Sequence, residues 1–264
     1  MEQPDGSPRR YSALGLQLAA LDFESAIDLL CAAPKAKMRI AVHFCTVNTV
    51  IAASSETSLS TVLNGSNAIV FPDGMPIVWL GRVSGKRVDR ICGPDFMPAL
   101  VARSRSFGYR HFLYGGADGV ADELRRNLLL RFPGAKIVGT YSPPFRTLTR
   151  DEDQIVVDLI NRSQPDFVWV GLGTPKQDFW IANHRDQLNA SALLAVGAAF
   201  DFHSGRLTRA PVWMRGSGLE WLFRLMAEPR RLWRRYTISN IRFAALLART
   251  AFESLLVTFR RTFG

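Results

Sequence analysis

Cysteine is scarce in this chain, three residues in 264, and the three are odd in number and widely spaced. That excludes a disulfide framework and a zinc-type cluster. Cys45 and Cys92 read as small buried hydrophobes, which fits a reducing cytosolic location. Histidine is also sparse: His43, His111, His184 and His203 show no metal-ligand spacing, so no metal site and no cofactor are expected. Long apolar runs are missing too. The longest uncharged stretches, Ile40–Ser55 and Thr57–Pro72, fall short of the roughly 18–20 residues of a bilayer span and carry polar groups. The opening MEQPDGSPRRYSALG lacks the apolar core of a signal peptide. A protein that does not cross a membrane but can lie on one is the expectation.

Lysine is absent from residues 206–264, and acids nearly so. That stretch holds twelve arginines against Glu220, Glu228 and Glu253, a net +9 of the chain's +10. Residues 1–205 are close to neutral, with 21 basic and 20 acidic side chains. The basicity therefore belongs to the tail, and such a tail points to an anionic partner.

With 47% apolar and 21% charged residues, the rest suits one folded domain. Residues 1–16 read as a loose lead-in. Helical periodicity at Phe23–Ala33 precedes an apolar strand at Met38–Cys45, a helix at Val50–Ser58 and a short strand at Ala68–Phe71. A helix follows at Phe96–Arg105. Strands are then expected at Arg110–Tyr114, Lys136–Thr140, Phe167–Val170 and Leu193–Val196, with helices at Asp118–Leu130, Asp151–Asn161 and up to Leu188 between them. This rhythm indicates an α/β fold, a Rossmann-like, mostly parallel sheet flanked by helices. The tail is helical in period from Ala210 and broken at Pro229. Arg231, Arg235, Arg242 and Arg249 share one face, and Trp233, Tyr236, Asn240, Phe243 and Leu247 form a second stripe.

Ligands of such sheets bind at the carboxyl ends of the strands, at loops Thr46–Thr49, Pro72–Gly74, Gly115–Ala117, Gly171–Gln177 and Gly197–Asp201. Gly115-Gly116 offers close backbone approach to a phosphate, or simply a tight turn. Gly171 and Gly173 remove bulk, and Lys176 and Gln177 are expected to point into the crevice. Asp73, in a Pro-Asp-Gly turn between apolar segments, is either a desolvated general base or a turn-stabilising carboxylate. Asp201 is a second candidate of the same kind.

Several segments stand in collinear order: Thr46-Val-Asn48, PDGMPIVW from Pro72 to Trp79, DRICGPDF from Asp89 to Phe96, and FLYGG from Phe112 to Gly116. VGLGTPKQDFW from Val170 to Trp180, VGAAFDFHSG from Val196 to Gly205, and RAPVWMRGSGLEWLFRLMAEPRRLWRR from Arg209 to Arg235 complete the series. Over about residues 25–237 the chain resembles the WecG/TagA/CpsF family of glycosyltransferases. The GMPIVW version is similar to exopolysaccharide-type members, and Asp178 stands where the family usually has Glu.

The resemblance implies an inverting, metal-independent transfer from a UDP-sugar to a polyprenyl-diphosphate-linked sugar. It makes Asp73 the catalytic base and places Thr46, Asn48, Arg90 and Gln177 around the substrates, where the crevice loops add Asp95, Gly115, Gly116, Gly171, Gly173 and Asp201 as candidate binding residues. Arg215, Arg224, Arg231, Arg234 and Arg235 become candidates for contact with diphosphate or lipid head groups. The implied division is a lead-in over 1–22, a catalytic domain over 23–205 and a basic helical appendage over 206–264 that meets the anionic inner face of the plasma membrane. An exposed apolar tail can also promote homo-oligomers. Two rival classes remain at this point. A nucleotide-cofactor oxidoreductase is weakened by the missing G-x-G-x-x-G pattern. A nucleic-acid binder would use the tail but leave the crevice motifs idle, so no nucleic-acid partner is expected.

Overall fold

The inner strands of the central six-stranded sheet are apolar along almost their whole length, which is how a strand covered on both faces must read. The edge strand Lys136–Tyr141, by contrast, is mostly half-buried. β3 (Ile40–Cys45), β4 (Ala68–Pro72) and β8 (Ala192–Ala195) are buried at every position. β5 (Arg110–Gly115), β6 (Lys136–Tyr141) and β7 (Phe167–Gly171) complete a sheet of order β4-β3-β8-β7-β5-β6. Every neighbouring pair is parallel. The computed structural model describes residues 8–216, 219–227, 229–230, 233 and 237–249.

Side-chain alternation divides the core by sheet face. Leu113, Phe167, Trp169 and Leu194 pack with α1 (Phe23–Ala32), α5 (Gly93–Ser104), α6 (Val120–Arg131) and α9 (Ala199–Ser204). Phe112, Tyr114, Val168 and Leu193 point the other way, onto α7 (Arg150–Arg162) and α8 (Lys176–His184). Burying a Phe, Leu or Val side chain is worth about 1.5–3 kcal/mol, so these two clusters dominate the stability of the fold. His111 is a core histidine: it accepts from Trp169 Nε1 at Nδ1 (3.1 Å), and its Nε2 meets Ser104 Oγ at 2.8 Å. Burial holds its pKa down at about 3, so the ring is neutral.

Residues 10–16 are not loose. β1 (Arg10–Ala13) and β2 (Leu16–Ala19) form an antiparallel hairpin whose Tyr11, Ala13, Leu16 and Leu18 are buried. The tight turn places Leu14 at φ 50° and Gly15 at φ 91°. The hairpin packs with α2 (Val47–Ser55), α3 (Thr57–Leu63) and α4 (Met75–Val83) in a third cluster. The single helix expected at Val50–Ser58 is two, because Glu56 takes extended backbone (φ −131°, ψ 101°) between α2 and α3. α2 also starts earlier, capped by Thr46, whose Oγ1 accepts from Thr49 N while Thr49 Oγ1 accepts from Thr46 N.

The tail begins with α10 (Val212–Gly216) and α11 (Glu220–Ala227), and residues 237–249 are helical. Phe243 is buried in the third cluster, with Leu246 and Leu247 against it. The expected stripe is therefore partly core: Phe243 and Leu247 pack, Trp233 and Asn240 are exposed, and Tyr236 lies outside the described residues. Among the described residues no helix is long and apolar enough to cross a membrane.

Candidate active site

Asp73 follows β4 directly, at the carboxyl edge of the sheet. Its backbone N–H donates to Cys45 O (2.8 Å), continuing the β3–β4 ladder one residue past the strand. Ile91 N donates to Pro72 O (2.9 Å), which draws the segment after α4 alongside and brings Arg90 to Asp73. Arg90 Nε donates to Asp73 O (2.7 Å), and its Nη2 lies 3.3 Å from Asp73 Oδ1. The Asp73 side chain is 17% exposed, so it keeps an opening to solvent. Burial raises its pKa above the ordinary carboxylate value; Arg90 opposes that shift, Glu220 adds to it, and Arg209 opposes it. A carboxylate so placed is a stronger proton acceptor than a surface Asp.

Arg90 Nη2 also donates to Glu220 Oε2 (2.8 Å), the first residue of α11. Glu220 Oε1 accepts from Arg209 Nε (3.2 Å), and Arg209 spans Asp95 with Nη1 on Oδ1 (2.6 Å) and Nη2 on Oδ2 (2.8 Å). Arg215 Nη1 reaches the same Asp95 Oδ1 (3.2 Å), while among the described residues its buried Nε has no partner. The Cys92 thiol donates to Asp95 Oδ2 (2.9 Å), and burial pushes its pKa well up, so it is a neutral donor. Burial alone would raise the Asp95 pKa, but the hydrogen bonds and charges of Arg209, Cys92 and Arg215 hold it at about 2. Arg90, Arg209 and Arg215 thus alternate with Asp73, Asp95 and Glu220 in one network. Arg209 and Glu220 were not singled out from sequence.

The other expected site residues surround this network in different ways. Thr46 is spent on capping α2, whose N-terminus abuts the Asp73 turn; a methyl on Gly74 would lie 3.6 Å from Val47 N. Asn48, in the first turn of α2, keeps a buried Oδ1 without a partner among the described residues. At Gly115 (φ 130°) a Cβ would lie 2.7 Å from the Gly171 backbone, and Gly116 N donates to Gly171 O (3.0 Å). A Cβ on Gly171 would strike the Phe200 ring at 2.6 Å, whereas Gly173 (φ 78°) faces open space.

Gln177 does not point into the crevice. It is buried, its Oε1 accepting from Gly173 N (3.0 Å) and its Nε2 donating to Ala195 O (2.9 Å), so it braces the loop instead. Lys176 is exposed. Asp178 is buried with Oδ1 2.7 Å from His43 Nδ1. Asp201 is half-buried in the first turn of α9. Arg224 lies over the Phe202 ring at 5.7 Å, which docks α11 on α9. Arg231, Arg234 and Arg235 lie outside the described residues. Among the described residues no group of three or more His, Cys, Asp or Glu is arranged to hold a metal ion.

The arrangement provides one poised carboxylate beside a guanidinium cluster at the carboxyl edge of a parallel sheet, closed by a basic tail. The sequence matches the Glycosyl transferase WecG/TagA/CpsF family over residues 11–255, nearly the whole chain and the tail included. The chain belongs to this family. It is 34% identical over 200 residues, 75% of each chain, to the N-acetylglucosaminyldiphosphoundecaprenol N-acetyl-beta-D-mannosaminyltransferase of Bacillus subtilis. It is 35% identical over 167 residues, 63% of each chain, to the Bacillus spizizenii protein of the same description. This WecG/TagA/CpsF protein is therefore a glycosyltransferase, and the oxidoreductase alternative falls away.

Proposed function

We propose that the protein transfers a sugar from a UDP-sugar to a polyprenyl-diphosphate-linked sugar, with inversion and without a metal, in the assembly of a cell-surface polysaccharide. The observation that carries this reading is Asp73: a partly buried carboxyl at the end of β4, raised in pKa and set 3.3 Å from Arg90 Nη2. Asp73 takes the proton of the acceptor hydroxyl as its oxygen forms the bond to the anomeric carbon. The bond from that carbon to the UDP oxygen breaks on the opposite side, and the electron pair leaves with the diphosphate. One carboxylate base suffices for such an in-line displacement.

Charge building on the departing diphosphate needs donors already in place. Arg90 and Arg215 meet that need, and among the described residues the buried Nε of Arg215 has no partner. The open backbone at Gly173 leaves room for close approach of a phosphate, while Gly115 and Gly116 are packed against Gly171 and Val120 and shape the loop beside it. The acceptor class is supported by the relatives' description as acting on an N-acetylglucosaminyldiphosphoundecaprenol.

Such an acceptor sits in a membrane, and the appendage suits a peripheral role at the inner surface. Trp213, Trp221 and Trp233 are 67%, 44% and 53% exposed, and the helical tail carries exposed Arg230 and Arg242. Indole rings favour the membrane interface, and each basic residue near an anionic leaflet contributes about 1 kcal/mol. The test is a panel of UDP-sugars, N-acetylhexosamines first, offered with a short-chain lipid-diphosphate sugar in excess EDTA. Transfer with an inverted anomeric centre is expected. Transfer that EDTA abolishes, or a product that retains configuration, refutes the mechanism.

A further inference from the structure

Glu220 opens α11 with its side chain only 10% exposed, and its two oxygens serve different arginines. Oε2 takes the 2.8 Å bond from Arg90 Nη2, and Oε1 takes the 3.2 Å bond from Arg209 Nε. Arg90 Nη2 therefore faces two carboxylates at once, and the shorter contact goes to Glu220, not to Asp73 at 3.3 Å. We propose that Glu220 is a positioning residue for the transfer reaction: from the appendage, it holds the Arg90 guanidinium back from full engagement with the Asp73 carboxylate. The inference rests on the reading of Asp73 as the general base.

Three anchors fix Arg90. Its Nε is tied to the Asp73 backbone carbonyl (2.7 Å), its Nη1 to Arg215 O (3.4 Å) and its Nη2 to Glu220. A guanidinium is planar, so holding Nε and Nη2 at separate acceptors sets the whole plane. Without the Glu220 carboxylate, Nη2 is free to close on Asp73 as a charge-assisted bond of about 2.7–2.9 Å. That tighter pairing would stabilise the ionised form of Asp73 and blunt it as a proton acceptor. Glu220 thus competes with the base for one N–H group. The base is tuned by a residue that reaches the site only when the tail is docked.

The groups around Asp73 bear on its titration in known directions. Arg90, from the segment after α4, and Arg209, from the segment before α10, favour the carboxylate; Glu220, from α11, disfavours it. The Cys45 thiol at the end of β3 and the thiol of Cys92, the residue just before α5, are held neutral by burial.

The experiment uses the full-length protein, a UDP-sugar and the lipid-diphosphate acceptor found active in the panel. Rates are read against pH for the parent, Glu220→Gln, Glu220→Asp and Asp73→Asn. Glu220→Gln should move the acidic limb of kcat/KM to lower pH and reduce the plateau kcat by about ten- to a hundredfold, as expected for a misplaced reacting group. Glu220→Asp, which keeps the charge, should return the limb toward the parent position. A limb that stays in place for Glu220→Gln, whether or not the rate or melting temperature falls, overturns the proposal. Should Glu220→Gln not fold, Glu220→Ala takes its place under the same criterion, and an acidic limb at the parent's pH overturns the proposal. Failure of the underlying reading shows separately, as near-parent turnover by Asp73→Asn.

Discussion

Arg209 holds Asp95 with both ends of its guanidinium, 2.6 Å and 2.8 Å, across 114 residues of chain. A parallel two-bond pairing is the strongest geometry these groups can adopt. It fastens the segment entering the appendage to the first turn of α5, so the tail and the catalytic edge are one structure at this point.

Asp95→Asn should loosen that clasp. Asp95 is 39% exposed, and solvent screening limits the pair to about 1 kcal/mol. For a chain of this size that is a drop of about 2–4 °C in melting temperature. The Asp95 pKa is depressed to about 2, so its stabilisation is present above the unfolded value near 4 and is lost as pH falls toward 2. The variant should lack that portion of acid sensitivity. Scanning calorimetry at pH 7 and pH 3 checks both statements; equal melting of variant and parent at pH 7 would show that the clasp does not hold the tail.

Asp73 has the opposite sign. Its pKa is raised on folding, so its stabilising contribution exists at low pH and disappears as pH rises through the raised value. At neutral pH the ionised carboxyl costs stability. Asp73→Asn should therefore melt no lower than the parent at pH 7, with any advantage shrinking toward pH 4. A fall of several degrees at pH 7 would mean that the carboxylate's pairing with Arg90 outweighs its burial.

The glycines of the two site loops should separate cleanly. Gly115→Ala places a methyl 2.7 Å from the Gly171 backbone at φ 130°, where neither side can yield, so a loss of at least about 3 kcal/mol or failure to fold is expected. Gly173→Ala meets no atom within 4 Å and suffers only the strain of φ 78°, about 1–2 kcal/mol. Denaturant midpoints of the two variants test this ordering; equal losses would contradict it.

Membrane association should depend on the exposed tail aromatics. Trp213→Ser with Trp221→Ser should reduce sedimentation with anionic vesicles severalfold and weaken the blue shift of tryptophan emission on binding. Substitution is the right probe here, because Phe243 lies in the core and removing the tail would uncover it. Undiminished vesicle binding would take these two indoles out of the account.

Much of this was legible in the sequence, for physical reasons. The inner sheet strands are legible because burial on both faces demands unbroken apolar runs, and the loops after them lie at the carboxyl edge. Tyr11, Ala13, Leu16 and Leu18 carried a period-two pattern, but two strands of four residues around Leu14-Gly15 give too little of it to stand out from a lead-in. Gln177 lies in the first turn of α8, beyond the end of β7, and its orientation depends on a carbonyl at Ala195 and an N–H at Gly173, which no local pattern encodes. Arg209 was one arginine among twelve, and Glu220 one of three acids in a basic tail. Their roles come from Asp95 and Arg90, more than a hundred residues away. A carboxylate persisting beside so many arginines was the available signal.

Catalysis here turns on the Asp73 carboxyl taking the acceptor proton. The measurement that reaches it most directly is turnover of Asp73→Asn with saturating UDP-sugar and lipid-diphosphate acceptor at pH 7, alongside its affinity for UDP. The account predicts unchanged UDP affinity with kcat lowered by about 10²–10⁴-fold, the usual worth of a positioned base. Turnover within a fewfold of the parent would contradict it.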